Sequence, residues 1–300
     1  MKYFFHLGAT NKLSLLELSS LLPKKNIKLL ANSLAEISLD SDDQAKELMS
    51  KLGGTIKITK NIHNKEKLIV NHDWKNWIKR DRKKPYADHK KGMLPPKLAR
   101  MMANIAIGQY LKTNKKNPEN LFDPFCGTGT ILMEAQLLGL DVFGSDIDEN
   151  AFYGSKRNLH WLATQYEIAN NYKLFIQDAT KISRQEITKP IQLLVTEPFL
   201  GKPRPKTDKL PNIFKGLEKL YLGSFKNWAK ILDNNAVLVV VFPSSETEQK
   251  EFSLSHLIDK LEGIGYSMLS KPVQYARPEA IIKRQIYLLR YVKSKSIRKS

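Results

Sequence analysis

The chain has 300 residues, of which 42% are hydrophobic and 26% are charged, a composition typical of a soluble globular protein. Its formal net charge of +19 favours polyanionic partners, with nucleic acid as the first candidate and an acidic membrane surface as the second. No apolar run approaches the roughly 20 residues that cross a bilayer, the N-terminus is apolar too briefly for a signal peptide, and a single cysteine excludes an intrachain disulfide. We therefore predict a cytoplasmic protein with no membrane partner and no metal site.

The first 72 residues alternate between strand and helix patterns, which predicts a small α+β domain. The predicted elements are strands at 2–7 and 55–59, a helix at 44–52, and two segments of helical or mixed apolar spacing at 13–22 and 27–37. Ser41 is placed to cap the helix at 44–52. Residues 73–92 are basic and poor in aliphatic side chains, so we predict a linker there.

Basic residues concentrate in two places along the chain. Residues 75–91 hold eight Lys or Arg against two Asp, interleaved with Trp77 and Tyr86. The last eighteen residues, from Lys283, hold seven basic side chains and no acidic one. Cations with nearby aromatic rings suit phosphate contact and base stacking, which predicts RNA or DNA contact, with a solvated charged linker as the alternative.

The remainder, residues 93–300, alternates strand and helix patterns as a doubly wound sheet does, which predicts an α/β domain. The predicted strands are 120–123, 141–146, 173–177, 191–196 and 236–242, and the predicted helices are 97–112, 130–138, 149–164, 213–233 and 252–264. Two last strand patterns, at 266–274 and 285–292, have no helix between them. We expect these two to pair as an antiparallel hairpin.

One glycine-rich stretch, residues 123–130, lies between a predicted strand and a predicted helix, where an open α/β sheet binds its ligand. Asp146 follows Gly129 by seventeen residues, a distance at which a carboxylate accepts hydrogen bonds from both ribose hydroxyls of a nucleoside. Leu132 stands where a dinucleotide fingerprint needs a small residue, and Asp123 would repel a pyrophosphate. A carboxylate there suits the cationic S-adenosyl-L-methionine (SAM), whereas an ordinary glycine turn is the alternative.

Three segments, Gly92–Arg100, Asp123–Ile131 and Gly144–Asp148, resemble the archaeal and eukaryotic tRNA guanine-N2 methyltransferases that act at position 10. Those enzymes have a class I (Rossmann-like) methyltransferase domain, which uses SAM, and usually carry an N-terminal ferredoxin-like region and a THUMP RNA-binding domain. The resemblance covers residues 73–292, and residues 1–72 resemble the start of the N-terminal region, with too little chain for a complete THUMP domain. It implies a ferredoxin-like or partial THUMP-associated domain at 1–72, a basic linker at 73–92 and a methyltransferase domain at 93–300.

The resemblance also implies a cofactor site, lined by Met93, Leu94, Pro95, Asp123, Phe125, Gly127, Gly129, Asp146, Ile147 and Asp178. Asp146 would hold the ribose and Ile147 would pack on the adenine. Asp178 would accept a hydrogen bond from the adenine amino group, or would simply cap a helix. Residues 93–95 would close over the methionine end, or would be a plain linker.

Methylation of an exocyclic amine needs acceptors for its two N–H bonds and an aromatic face for the flipped base. Families of this kind carry Asp/Asn-Pro-Pro-Tyr after the fourth strand, and the corresponding segment here is Thr196, Glu197, Pro198 and Phe199. Phe199 would stack on the base, Pro198 would fix the turn, and Glu197 would supply an acceptor. In the alternative, Thr196 and a backbone carbonyl grip the amine and Glu197 faces elsewhere.

Three functions remain open from the sequence. The first is SAM-dependent methylation of guanine N2 in tRNA, and the second is N6-adenine methylation on DNA or RNA. The third is an RNA-binding protein that keeps the fold and has lost turnover, which the altered segment at 196–199 allows. Cys126 lies in the cofactor turn, so carbon-5 methylation through a thiolate is not expected. The expected partner is RNA, tRNA first, with a small activating protein as a further possibility.

Overall fold

The computed structural model describes residues 1–88, 93–168, 171–202, 204–247, 250–276 and 280–293. Its helices are α1 (Asn11–Leu21), α2 (Asp42–Lys51), α3 (Trp74–Arg82), α4 (Pro96–Asn114), α5 (Thr130–Gln136), α6 (Glu149–Tyr166), α7 (Leu210–Trp228) and α8 (Leu257–Glu262). Its strands are β1 (Lys2–Leu7), β2 (Ile27–Ala31), β3 (Leu34–Ser38), β4 (Thr55–Ile62), β5 (Lys65–Asn71), β6 (Asn120–Asp123), β7 (Asp141–Asp146), β8 (Tyr172–Ile176), β9 (Ile191–Thr196), β10 (Leu232–Glu246), β11 (Glu251–Ser253), β12 (Tyr266–Met268), β13 (Val273–Tyr275) and β14 (Lys283–Tyr291).

The N-terminal part is an antiparallel sheet in the order β2-β3-β1-β4-β5, with α1 and α2 in its crossovers. The first four strands and two helices follow the β-α-β-β-α-β ferredoxin-like arrangement, and β5 extends it. Tyr3, Phe5 and Leu7 all point into the core of this part, because alternate side chains of a strand face the same side. Ser41 caps α2, accepting a hydrogen bond from the backbone N–H of Gln44 at 3.1 Å.

Two hairpins in this sheet differ from the sequence-based expectation. The segment 27–37, with its helical or mixed spacing, is the hairpin β2–β3, whose two-residue turn follows Ala31, paired with Leu34. The strand predicted at 55–59 runs on to Ile62 and turns back as β5 through His63 and Asn64, both at positive φ. Such turns match the twist of the strands they join. We missed β5 because its side chains are mostly exposed and polar.

The basic segment predicted as a linker contains helix α3, so that prediction is wrong for residues 74–82. Asp73 caps the helix, and Arg80 is buried on its inner side. The Arg80 Nε atom donates to the fully buried Glu134 at 2.6 Å, and Arg100 donates to the same carboxylate at 2.8 Å. The buried carboxylate of Glu134 on α5 accepts from guanidinium groups on α3 and α4 and so fixes these three helices together. Separating the helices would leave buried charges without a partner, which is costly.

The second sheet has the order β12-β14-β10-β9-β6-β7-β8. Strands β6 to β10 run parallel to their neighbours within this group, β14 is antiparallel to β10, and both β12 and β13 are antiparallel to β14. Helices α4, α5 and α6 share an apolar core on one face, and α7 and α8 share another on the opposite face. This confirms the predicted class I methyltransferase sheet, Rossmann-like with a C-terminal antiparallel hairpin.

The predicted helices at 213–233 and 252–264 are both shorter in the structure. Helix α7 ends at Trp228, because strand β10 already begins at Leu232. Strand β10 continues to Glu246 and pairs there with β11, so residues 251–253 are strand and only Leu257–Glu262 is helical. Residues 251–253 form a strand here because the end of β10 offers them backbone partners at positions 244–246.

Candidate active site

The glycine turn between β6 and α5 has a left-handed backbone at two positions. Gly127 has a φ of 51° and Gly129 a φ of 76°, conformations that residues with a side chain rarely adopt. A Cβ atom on Gly129 would also collide with the Ser155 hydroxyl on α6. The glycines therefore let the turn close against α6 and present its backbone at the carboxyl end of β6.

Asp146 lies at the end of β7, beside this turn, because β6 and β7 are neighbours in register. Its carboxylate accepts hydrogen bonds from the backbone N–H groups of Gly127 and Asp148, each at 2.9 Å. Ile147, the next residue, has 72% of its surface exposed. The structure thus brings together the carboxylate predicted for the ribose and the apolar side chain predicted for the adenine.

Asp123 is the most strongly perturbed carboxyl group of this site. It is 1% exposed, and its Oδ1 atom accepts from the Thr196 hydroxyl at 2.6 Å and from the Phe125 backbone N–H at 3.1 Å. Burial, followed by repulsion from Asp146 and Glu197, raises the pKa of Asp123 to about 7. Three carboxyl groups close enough to interact form a site whose charge favours a cationic ligand.

Thr196 and Glu197, at the end of β9, point in different directions, as successive residues of an extended chain do. Thr196 is fully buried and its hydroxyl is used by Asp123, so the structure does not place it where a substrate would meet it. Glu197 is partly exposed, and its carboxylate accepts a hydrogen bond from the Arg284 guanidinium of β14. Of the two residues, only Glu197 has a partly exposed acceptor. Thr196 donates its hydroxyl to Asp123 in the interior.

The next two residues form a fixed turn with an exposed ring. Pro198 is buried, whereas Phe199 has 59% of its surface exposed. The hydroxyl of Tyr221, on α7, donates to the Phe199 carbonyl at 3.0 Å and so holds the turn. Nothing in the sequence pattern singled out Tyr221, because it lies on the buried stripe of a helix 22 residues away.

Asp178 follows β8, on the far side of β7 from the glycine turn. Its Oδ1 atom accepts from the backbone N–H and the hydroxyl of Thr180, both at 2.8 Å. These bonds close a local turn, and no helix begins there for Asp178 to cap. The Oδ2 atom receives no hydrogen bond from the residues that the structure describes. Asp178 therefore has one oxygen in the turn and one available to a ligand.

The segment 93–95 enters helix α4. Leu94 is buried in the same core as Cys126 and Ile131 of the glycine turn and α5. The Pro95 carbonyl accepts from the backbone N–H groups at positions 98 and 99, at 2.9 and 3.0 Å, and so begins α4. The segment is anchored to the core beside the cofactor turn, although its expected contact with a methionine moiety stays a prediction.

Cys126 is 5% exposed, its backbone N–H donates to the Ser145 carbonyl at 2.9 Å, and burial raises the pKa of its thiol well above the ordinary value. A neutral, buried thiol in the turn is a packing group, and it offers no thiolate to a substrate.

Two residues that we missed hold the turn from outside. The Asn158 amide donates to the Thr128 carbonyl at 2.8 Å and pairs with both backbone groups of Tyr86, each at 2.9 Å. The Lys84 ammonium, also buried, donates to the Thr130 hydroxyl at 2.9 Å. These partners lie 30 to 72 residues apart in the chain, so no local pattern reveals them.

Within the described ranges, no group of three His, Cys, Asp or Glu side chains is arranged to hold a metal ion. The helices of those ranges also include none with the length and hydropathy needed to cross a bilayer.

Comparison with known proteins gives relatives for the methyltransferase half. A tRNA (guanine(10)-N2)-dimethyltransferase from Pyrococcus abyssi is 29% identical over 196 residues, which are 65% of this chain and 49% of that protein. The enzyme of the same name from Methanothermobacter thermautotrophicus is 36% identical over 111 residues, 37% of this chain and 28% of that one. A tRNA (guanine(10)-N(2))-methyltransferase from Bos taurus is 31% identical over 121 residues, 35% and 26% of the two chains. The chain therefore matches about half or less of the length of these relatives.

Among solved structures, TrmN from Thermus thermophilus has a TM-score of 0.56 and 12% identity, with 97% of this chain and 100% of that chain covered. At this identity the likeness concerns the fold. The model of the family described as UPF0020, RMKL-like, methyltransferase domain, matches residues 87–262. This match covers more than half of the chain, including the glycine turn, Asp146 and the segment at 196–199, and so the chain belongs to the RMKL-like methyltransferase-domain family UPF0020.

Proposed function

We propose that this chain transfers a methyl group from SAM to an exocyclic amine of an RNA base, and that the base is guanine, methylated at N2, in tRNA. The observation that carries this proposal is the end of β9. There a partly exposed carboxylate, Glu197, and an exposed ring, Phe199, stand beside the buried Asp123 at the carboxyl edge of the sheet.

The residues of the glycine turn fit SAM. Gly127 has no side chain, and the space that a Cβ atom would occupy there is open, so a ligand can approach the backbone closely. Asp146 offers its carboxylate to the ribose, and Ile147 an exposed apolar face to the adenine. Asp123 places negative charge where the ammonium and sulfonium of the cofactor need it, and when bound SAM supplies an electrophilic methyl group.

The protein's task at the substrate is to hold the amine in line and to accept its N–H bonds. The Glu197 carboxylate is the available acceptor, and its pairing with Arg284 limits the orientations it can adopt. An amine whose N–H groups donate to fixed acceptors becomes more tetrahedral and more nucleophilic at nitrogen. The Phe199 ring would stack on the face of the base and so fix its orientation. Tyr221 keeps the turn that carries both groups in place.

The choice of tRNA as substrate is supported by the names of the relatives, which are tRNA methyltransferases, and by charge. Three exposed cations, Lys202, Arg204 and Lys206, follow Phe199 along the chain. Pro203, in the middle of this loop, lies outside the described residues. Cations beside the exposed ring favour a polyanion that brings a base to Glu197.

The direct test is incubation of the purified chain with labelled SAM and unmodified bulk tRNA, followed by digestion and identification of the methylated nucleoside. We expect N2-methylguanosine. N6-methyladenosine would contradict the choice of base. SAM binding without transfer to any RNA would contradict the proposed activity, unless an added protein fraction restores transfer and so reveals an activating partner.

Asp146→Ala is expected to weaken SAM binding by about 10- to 100-fold, because hydrogen bonds to a charged acceptor contribute roughly 1.5–3 kcal/mol each. Calorimetric titration with SAM measures the effect. Asp141→Ala, at the other end of β7, removes the same group away from the turn and is the matched control. Equal SAM affinity in the Asp146 variant and the wild type would exclude the ribose contact.

Phe199→Ala is expected to raise the KM for tRNA by about tenfold, because stacking of a base on an aromatic ring contributes roughly 1–3 kcal/mol. Phe199→Tyr keeps a ring and should retain most of the activity. Leu68→Ala, an exposed apolar side chain of β5 in the other sheet, is the control for lost surface area. A KM unchanged by Phe199→Ala would show that this ring does not hold the base.

A further inference from the structure

The outer face of helix α6 forms a groove that the methyl-transfer site does not use. Its lining includes Tyr153, Lys156, Arg157, His160, Trp161 and, from the edge strand β8, Tyr172. We call this the α6 groove. Its volume is about 580 Å³, within the range of sites that hold a nucleotide-sized ligand.

The α6 groove is lined by aromatic rings, Tyr153, Trp161 and Tyr172, and by the cationic side chains of Lys156 and Arg157. Tyr153, Arg157 and His160 recur at spacings of four and three residues, so they share one side of the helix. Tyr153 has 52% of its surface exposed, which leaves its ring available to a planar partner. Among the described residues that line the groove there is no carboxylate. Rings and cations without acidic groups match a nucleotide base with its phosphate.

One wall of the groove is already rigid. The Arg157 guanidinium lies over the Tyr86 ring, at 5.4 Å from its centroid. That ring packs directly on Gly154, where any Cβ atom would collide with it, and the backbone of Tyr86 pairs with the Asn158 amide. These contacts orient the Arg157 guanidinium before a ligand binds, which reduces the ordering cost of binding at that side chain.

The two aromatic residues that the sequence predicted for base contact, Trp77 and Tyr86, pack against other residues of the protein. Trp77 lies under Arg80, whose guanidinium is 4.2 Å from the ring centroid, and Tyr86 is held between Gly154 and Arg157. Tyr153 meets Phe152 edge to face, at 5.0 Å between the ring centroids, and still has 52% of its surface exposed. It lines the α6 groove together with Pro85 of the same basic segment.

We infer that the α6 groove binds unpaired nucleotides of the RNA substrate, a second contact outside the methyl-transfer site. Tyr153 lies five residues beyond Asp148, or about 7.5 Å along the helix axis from the turn that carries the adenine side of the cofactor site. The inference rests on the proposed function for the identity of the nucleic acid as RNA. Stacking on rings requires unpaired bases, so the groove selects single strands over duplex.

The test measures binding of a fluorescein-labelled 12-nucleotide oligouridylate by anisotropy, at two salt concentrations. Tyr153→Ala is expected to weaken binding by about tenfold. The double variant Lys156→Gln/Arg157→Gln is expected to weaken it and to reduce its salt dependence. The control is Lys226→Gln/Lys230→Gln, which removes exposed cations at the end of α7, on the opposite face of the sheet, and should bind as the wild type does. Calorimetric SAM titration of every variant reports whether the fold is intact.

Three results would overturn the inference: Tyr153→Ala binding as tightly as wild type, a duplex of equal length competing as well as the single strand, or dimerisation of the chain through this face. Quenching of Trp161 fluorescence by the oligonucleotide in the wild type would support it. Binding needs no methyl transfer, so binding through the groove without turnover would contradict only the proposed function. Methylation of tRNA with unchanged KM in Tyr153→Ala would contradict only the groove.

Discussion

Glu197→Gln is expected to lower kcat for methyl transfer by roughly a thousandfold while SAM affinity stays nearly unchanged, because positioned proton acceptors typically contribute 10²–10⁴ to a rate. The substitution keeps the length of the side chain and removes the carboxylate that the structure presents at the end of β9. Single-turnover measurement with saturating SAM and tRNA isolates the chemical step from product release.

A matched control is available on the neighbouring strand. Glu246, at the end of β10, pairs with the Lys283 ammonium at 2.8 Å and is exposed. Glu246→Gln removes an equivalent ion pair without touching the end of β9, and kcat should be retained. Full activity of Glu197→Gln would assign the acceptor to backbone carbonyls alone, and loss of SAM binding in that variant would place Glu197 in the cofactor site.

The sequence predicts the parallel sheet because its central strands are short continuous apolar runs separated by helical periods. Residues 191–196, for example, are all buried, as is typical of a strand that is covered on both faces of its sheet. The glycine turn could also be predicted from the sequence. Its position requires glycine, because Gly129 has a left-handed backbone and no room for a Cβ atom.

Features that depend on partners far away in the chain could not be predicted from the sequence. Helix α3 forms in a charged segment because Arg80 finds the carboxylate of Glu134, 54 residues further on. The direction of Glu197 is set by Arg284, 87 residues away, and by the hydroxyl of Thr196 turning to Asp123. Sequence spacing alone leaves such directions open, which is why the sequence allowed two arrangements of the segment at 196–199.

Asp123→Asn is expected to stabilise the protein at pH 8 and, in the same molecule, to weaken SAM binding. The ordinary pKa of this carboxyl is 3.8, and burial first, then Asp146 and Glu197, raises the pKa to about 7 in the folded state. The stability that the neutral group contributes is therefore fully present below pH 3.8 and is lost as the pH rises through 7. The loss is on the order of 4 kcal/mol, at about 1.4 kcal/mol for each unit of pKa.

Asparagine is a neutral replica of the protonated carboxyl, since its carbonyl can still accept from Thr196 and Phe125. Urea unfolding should show the advantage of the variant growing from about pH 4.5 to about pH 8. Asp259→Asn, on the exposed side of α8, is the control for the same chemical change. Wild-type affinity for SAM should rise with pH through 7, because a cation prefers the ionised carboxylate, and the variant should lack this rise. A variant that lost stability at pH 8, or that bound SAM with the wild-type pH profile, would refute this account, in which the buried charge of Asp123 costs stability and contributes to cofactor binding.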